Sequence, residues 1–146
     1  MKTTEVLLVD DNPADTDLTS EVLARTGCPS HVHAVTNGVE AIAFLRREGK
    51  YANAILPDFV ILDLNLPGKD GRAVLAEVKG DRLLRKIPIA IFSTSEARQD
   101  IVRSYELGAN CYVSKPGNLR DFISAVTSIG EFWFGSARLP ARRNDE

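Results

Sequence analysis

Long apolar runs, excess charge and cysteine are what this sequence has least of, and each shortage narrows what the chain can do. No apolar stretch approaches the ~20 residues that a membrane-spanning helix needs. The start, "MKTTEVLLVDD", turns acidic before it builds the apolar core of a signal peptide. Both absences predict a cytoplasmic protein with no membrane partner. The formal net charge is −2, from 18 basic and 20 acidic residues, so no bulk positive field draws the chain to nucleic acid. The two cysteines, Cys28 and Cys111, lack metal-ligand spacing and read as reduced, half-buried thiols rather than a disulfide. There is no internal repeat and no low-complexity tract. The 146 residues, 44% hydrophobic and 26% charged, suit one globular domain with a real core.

What is present is an alternation of buried-strand and amphipathic-helix patterns. "EVLLVD" reads as a strand and is followed by a helix that Asn12 caps and Pro13 opens. Ala14, Leu18 and Val22 recur along that helix, and Gly27 is expected to stop it. "SHVHAV" is the second strand, and Asn37 then caps a helix carrying Val39, Ile42 and Leu45. "REGKYANAILPD" reads as an extended loop before the third strand, "FVILD". A helix with Val74, Leu75 and Val78 leads to "IPIAIFS", the fourth strand. Ala97, Ile101 and Tyr105 mark the next helix, which closes near Gly108. "CYVS" is the fifth strand, and Leu119, Phe122, Ile123, Val126 and Ile129 stripe the last helix. This order implies an α/β protein whose parallel sheet is covered on both faces, with function at the carboxyl ends of the strands.

Those ends collect a particular set of residues. Strand one ends in Asp10 and Asp11, strand three in Asp63 and strand four in Ser93, while strand five leads into Lys115 and Pro116. Carboxylates converging in one crevice cannot stay charged and unpaired. A hard divalent cation with oxygen ligands, Mg²⁺ above all, resolves the conflict. Lys115 and Ser93 facing Asp63 suit an incoming anion rich in acceptor oxygens, and a phosphoryl group fits, with Asp63 as its nucleophile. Each residue has a plainer role open to it. Asp11 or Asn12 would serve as a helix cap, Lys115 as a solvated lysine, Lys-Pro as a turn and Ser93 as a local partner of the backbone. Their joint placement on one rim favours a shared site.

At this point the residues resemble those of a two-component response-regulator receiver domain. The likeness runs from roughly Thr4 to Ile129 and is carried by "LLVDDN", "VILDLNLPGKDG", "IFSTSEA" and "CYVSKP". It implies a flavodoxin-like, doubly wound sheet of five parallel strands in the order 2-1-3-4-5, with five helices. It also implies that Asp63 accepts a phosphoryl group from a sensor histidine kinase. Asp11, Asp63 and the backbone carbonyl of Asn65 would ligate Mg²⁺, with Mn²⁺ able to substitute and Asp10 acting through water. Lys115, Ser93 and the backbone of Thr94 would hold the phosphoryl group, and Pro116 would follow a cis peptide bond. Ser93 stands where threonine is commonest. Tyr112 matches the aromatic switch position, and Asn65 and Ser95 fall where the family tunes dephosphorylation. Gly71 opens the helix after the "LPGKDG" turn.

The segments "IVRSYELGANCYVSKPGNLRDF" and "FWFGSARLP" are similar to the single-domain regulators of cyanobacterial and bacterial phytochromes, which implies a light-sensing kinase as phosphodonor. Residues 1–130 are expected to form the receiver and 131–146 an aromatic extension with a mobile tail. No output domain is expected, because nothing after Ile129 suits a DNA-binding unit. The consecutive Phe132, Trp133 and Phe134 cannot all face one way, so either they fold back on the monomer or a partner covers them. The favoured expectation is a homodimer through the face of helix four, strand five and helix five, with Tyr105, Tyr112, Phe132, Trp133 and Phe134 as its residues.

Three other readings remain open. A haloacid-dehalogenase-like phosphatase also uses an aspartate nucleophile with Mg²⁺, but "DLNLP" lacks the second nearby aspartate of a dedicated acid/base. A flavodoxin-type cofactor binder shares the fold, yet "DDNPAD" would repel its phosphate. A receiver that serves only as a phosphorylation-independent scaffold would not need Asp10, Asp11, Asp63, Ser93 and Lys115 together.

Overall fold

The apolar strands assemble into one parallel sheet. In a computed structural model, which describes residues 2–140, the strands are β1 (Thr4–Val9), β2 (Ser30–Val35), β3 (Phe59–Leu62), β4 (Ile89–Ser93) and β5 (Cys111–Ser114). Their order is β2-β1-β3-β4-β5, with every neighbouring pair parallel. The helices are α1 (Pro13–Ala24), α2 (Gly38–Leu45), α3 (Gly71–Gly80), α4 (Arg98–Glu106) and α5 (Leu119–Gly130). The expected fold class, strand order and helix count are all found.

The core has two layers because alternate β1 residues face opposite sides. Leu7 and Val9 join Val60, Leu62, Ile89 and Ile91 beneath α2 and α3. Val6 and Leu8 join Phe59, Ile61, Ala90 and Phe92 beneath α1 and α5. A sheet covered on both faces has no polar side to offer, which is why the central strands read as unbroken apolar runs.

Four of the helices begin with a side-chain cap just after a strand. Asn12 accepts from the Asp15 N–H, Asn37 from Glu40, Asp70 from Ala73 and Asn118 from Asp121. Each cap stabilises its helix by about 1 kcal/mol and fixes a loop on the carboxyl edge of the sheet. Gly71 adds a steric requirement: a methyl there would overlap the Asp63 carbonyl oxygen and lie 2.6 Å from Leu64 Cα. The start of α3 therefore rests directly on the end of β3.

Several local expectations are corrected. Helix α1 ends at Ala24, before Gly27, because the Arg25 and Thr26 N–H groups already bond back to Val22 and Leu23 and the Thr26 hydroxyl donates to the Leu23 carbonyl. Gly108, with φ 107°, does close α4 as expected. Ala14, Val39 and Leu119 are exposed, since their positions turn away from the sheet. The loop before β3 contains a short 3-10 turn, Gly49–Tyr51, and Tyr51, Ala54 and Leu56 pack on the core.

Beyond α5 the chain widens into a π-helical turn, Glu131–Ser136. This turn carries Trp133 and Phe134 back onto the sheet. The Trp133 ring stacks on Phe59 at 5.0 Å and Phe134 meets Phe59 edge-on at 5.9 Å, geometries worth about 0.5–1.5 kcal/mol each beyond burial. The fold-back alternative thus holds for two of the three aromatics, while Phe132 is 53% exposed. The end of the tail "SARLPARRNDE", expected to be mobile, falls from residue 141 onward outside the described residues.

Candidate functional site

The carboxyl edge brings together most of the residues singled out from sequence. Asp10 and Asp63 leave the ends of β1 and β3 buried, with Asp11 exposed beside them. One carboxylate oxygen from each of the three lies within 4.8 Å of the others. Backbone amides steady the two buried acids: the Asn12 N–H donates to Asp10 Oδ1 at 2.9 Å and the Asn65 N–H to Asp63 Oδ1 at 3.0 Å.

Lys115 comes from the loop after β5, and its N–H extends the strand pairing by donating to the Ser93 carbonyl at 2.7 Å. That bond aims the side chain along the sheet edge. The ammonium donates to Asp10 Oδ2 at 2.8 Å, Asp63 Oδ2 at 2.9 Å and Asp15 Oδ2 at 3.0 Å. Burial on its own would push the Lys115 pKa down, but hydrogen bonds to Asp10 and Asp63 and the Asp63 charge outweigh it, so Lys115 is held above the ordinary lysine value. Asp10 responds in the other direction. Burial raises its pKa, and the hydrogen bonds from Lys115 and Asn12 recover only part of that shift. One buried cation therefore spans three carboxylates, leaving the pocket short of positive charge. An all-oxygen donor set with residual negative charge fits a hard divalent ion.

Asp15 was missed from sequence. It sits at the third position of α1, where its own N–H is capped by Asn12, and from there its carboxylate reaches Lys115. An acid three positions after a cap marks only a helix start, and nothing local aims it at Lys115, since the Asn12 N–H is already taken by Asp10.

The Lys115–Pro116 peptide bond is trans, because there is no cis bond among the described residues; the cis expectation at Pro116 is corrected. An X–Pro bond prefers trans by about 0.5–1 kcal/mol, and with trans geometry the lysine already reaches all three carboxylates.

Ser93 is fully buried, and its hydroxyl accepts from the Ser95 N–H at 3.3 Å, while Thr94 is exposed at the mouth with Asn65. Ser95 is a junction. Its hydroxyl donates to Asp100 Oδ2 at 2.5 Å, and its carbonyl accepts from the Tyr112 hydroxyl at 2.8 Å. The Arg72 guanidinium binds the other Asp100 oxygen at 2.5 Å. The Ser95 hydroxyl first, and Arg72 second, hold the Asp100 carboxyl below its usual range. Neither Arg72 nor Asp100 carries a sequence signal, since surface arginines and acids at helix starts are common. The Tyr105 hydroxyl accepts from the Tyr112 N–H at 3.2 Å, which ties α4 to β5. Of the five residues expected on a dimer face, Tyr105 and Phe132 are exposed, Tyr112 is half-buried, and Trp133 and Phe134 face their own core.

Residues 6–127 match the response regulator receiver domain family. The chain belongs to that family. Response regulator Rcp1 of Synechocystis sp. is 43% identical over 136 residues, covering 93% of this chain and 92% of that one. The crystal structure of the Mn²⁺-bound form of Rcp1 superposes with a TM-score of 0.92 at 42% identity, covering 94% of this chain and 99% of the other. That of the phosphorylated cyanobacterial phytochrome response regulator RcpA gives 0.93 at 48% identity, covering 96% and 100%. No helix among the described residues is long and apolar enough to cross a membrane.

Proposed function

We propose that this receiver domain accepts a phosphoryl group on Asp63 from a sensor histidine kinase, in the presence of Mg²⁺, and passes the signal on through a protein surface. The observation that carries the reading is the bridge of Lys115 across Asp10, Asp15 and Asp63, beside the open cluster of Asp10, Asp11 and Asp63. Similarity to a phosphorylated phytochrome regulator and to a Mn²⁺-bound one favours a phytochrome-type kinase as donor and a divalent ion as cofactor.

Asp11, Asp63 and the carbonyl of Asn65 would hold the ion, with Asp10 through water. When bound, it neutralises negative charge on the phosphoryl oxygens. An Asp63 carboxylate oxygen forms the new P–O bond as the P–N bond to the donor histidine breaks, and the imidazole leaves with that electron pair. Lys115 exchanges its Asp63 contact for a phosphoryl oxygen, and the Thr94 backbone adds a donor at the mouth. The Ser93 hydroxyl swings toward the same group, releasing the Ser95 N–H. Because Tyr112 is anchored on the Ser95 carbonyl, that movement reaches the α4–β5 face. Asn65 and Ser95 set the lifetime of the phosphoaspartate by controlling water at the mouth.

Output runs through a homodimer on the α4–β5–α5 face. Phe132 and Trp133 edge a groove of about 500 Å³ with Cys111, Val113 and Ile129, an apolar surface suited to a second copy. A monomeric mass in sedimentation of both phosphorylated and unphosphorylated protein would sink the dimer.

The test of phosphoryl acceptance is intact mass after incubation with acetyl phosphate and Mg²⁺. One adduct on wild type, absent from Asp63→Asn and lost on chelation, supports the reading. No adduct with acetyl phosphate or with a panel of sensor kinases favours a phosphorylation-independent scaffold.

A further inference from the structure

At the opposite pole of the sheet, away from the acidic pocket, a second cluster of metal-ligating groups is built on β1 and β2. Parallel pairing sets Glu5 opposite His31 and Leu7 opposite His33. Two-residue spacing on β2 puts both histidines on one face. One ligand atom from each of Glu5, His31 and His33 lies within 4.8 Å of the others. The Glu5 side chain is only 8% exposed, His33 is 34% exposed and His31 60%. Behind them the Phe44 ring stands 5.4 Å from that of His33 and walls off the inner side.

The two rings satisfy the Glu5 carboxylate only in part, and their spacing suits a shared cation. His31 Nδ1 makes a long hydrogen bond of 3.3 Å with Glu5 Oε1, and His33 Nε2 lies 3.5 Å from the same oxygen. Yet His33 Nε2 is a buried atom with no hydrogen-bond partner. A ring nitrogen beside a buried carboxylate but not bonded to it is costly. Donors about 2.0–2.2 Å from a tetrahedral zinc-class ion stand about 3.4 Å apart, close to both measured separations. Two imidazole nitrogens and one carboxylate oxygen also form the donor set that borderline cations prefer over Mg²⁺. Exposure of His31 supplies the entry path and leaves the fourth position to water.

We propose that Glu5, His31 and His33 form a binding site for a zinc-class divalent cation, which clips the edge strand β2 to β1. The site is independent of phosphoryl acceptance at Asp63. It neutralises the Glu5 carboxylate and gives His33 Nε2 a partner, and it pins a strand whose outer side has no neighbouring strand among the described residues.

The experiment is a Zn²⁺ titration of the full chain against a chromophoric chelator, with excess Mg²⁺ occupying the acidic pocket. One equivalent is expected to bind wild type and Asp63→Asn equally, and affinity is expected to fall tenfold or more, by about the factor typical of damaged metal sites, in His33→Gln. Circular dichroism reports whether that variant is folded. Co²⁺ on wild type gives a readout that needs no variant, because tetrahedral nitrogen ligation produces an intense visible band and six-oxygen ligation does not. Zinc affinity that is unchanged in folded His33→Gln, zinc binding lost in Asp63→Asn, or Co²⁺ without the intense band would each overturn the site.

Discussion

Lys115 Nζ lies 2.9 Å from Asp63 Oδ2, in a contact that joins residues 52 positions apart and ties the end of β5 to the end of β3. The same ammonium holds Asp10, so removing it leaves buried carboxylates facing one another. Lys115→Met is expected to cost about 3–5 kcal/mol in metal-free buffer, the range for breaking a buried ion pair. Mg²⁺ should still bind and should recover more stability in the variant than in wild type. Urea unfolding with and without Mg²⁺ measures both quantities.

Stability should depend on alkaline pH through the same residue. The Lys115 pKa is raised in the folded state, so its contribution is fully present below the ordinary value of 10.5 and is lost as pH rises above it. Above that value the folded chain binds more protons than the unfolded one, and each step up in pH favours unfolding. Urea midpoints from about pH 8 to about pH 11.5 should fall more steeply above the ordinary lysine pKa for wild type than for Lys115→Met. Parallel curves would remove Lys115 as the cause.

Gly71→Ala tests whether α3 positions Asp63. The added methyl would overlap the Asp63 carbonyl, so either α3 or the end of β3 must shift. A loss of about 1–3 kcal/mol is expected, as for an overpacked core. The rate of acetyl-phosphate labelling should fall as well. Gly27→Ala, where a methyl meets nothing within 4 Å, is the control and should leave labelling unchanged.

Tyr112→Phe removes one hydroxyl and little else. The bond to the Ser95 carbonyl is lost, at about 1 kcal/mol of stability. Labelling of Asp63 should proceed at the wild-type rate, while phosphorylation should shift self-association less than it does in wild type. Labelling kinetics and sedimentation, run side by side, separate the two effects.

Much of this was readable from the chain because it depends on local chemistry. Asn12 and Asn37 cap the helices that their positions predict, and the apolar runs form the strands they suggest. Asp10, Asp11, Asp63, Ser93 and Lys115 gather because a parallel sheet delivers every strand end to one edge. What could not be read depends on direction across the fold. Asp15 turns inward only because Lys115 arrives from β5, 100 residues away in sequence. Trp133 and Phe134 return to Phe59 only because the helix widens into a π turn, and no residue type announces that change of pitch. The His31–His33 pair gains meaning only through the register that sets Glu5 beside it.

That register raises a question about β1 that its apolar residues cannot answer. Val6, Leu7, Leu8 and Val9 are buried on both faces, so a slip by one residue would exchange one apolar side chain for another at little cost. The ends of the strand are different. Glu5 stands at one side of the run and Asp10 at the other, each beside partners that suit its charge. Sliding the strand either way would drag one of these carboxylates into the greasy middle, at several kcal/mol for an unpaired ion. The two acids act as bookends, and the strand that carries Asp10 to the acidic pocket keeps its place because it cannot move without stripping one of them of its partners.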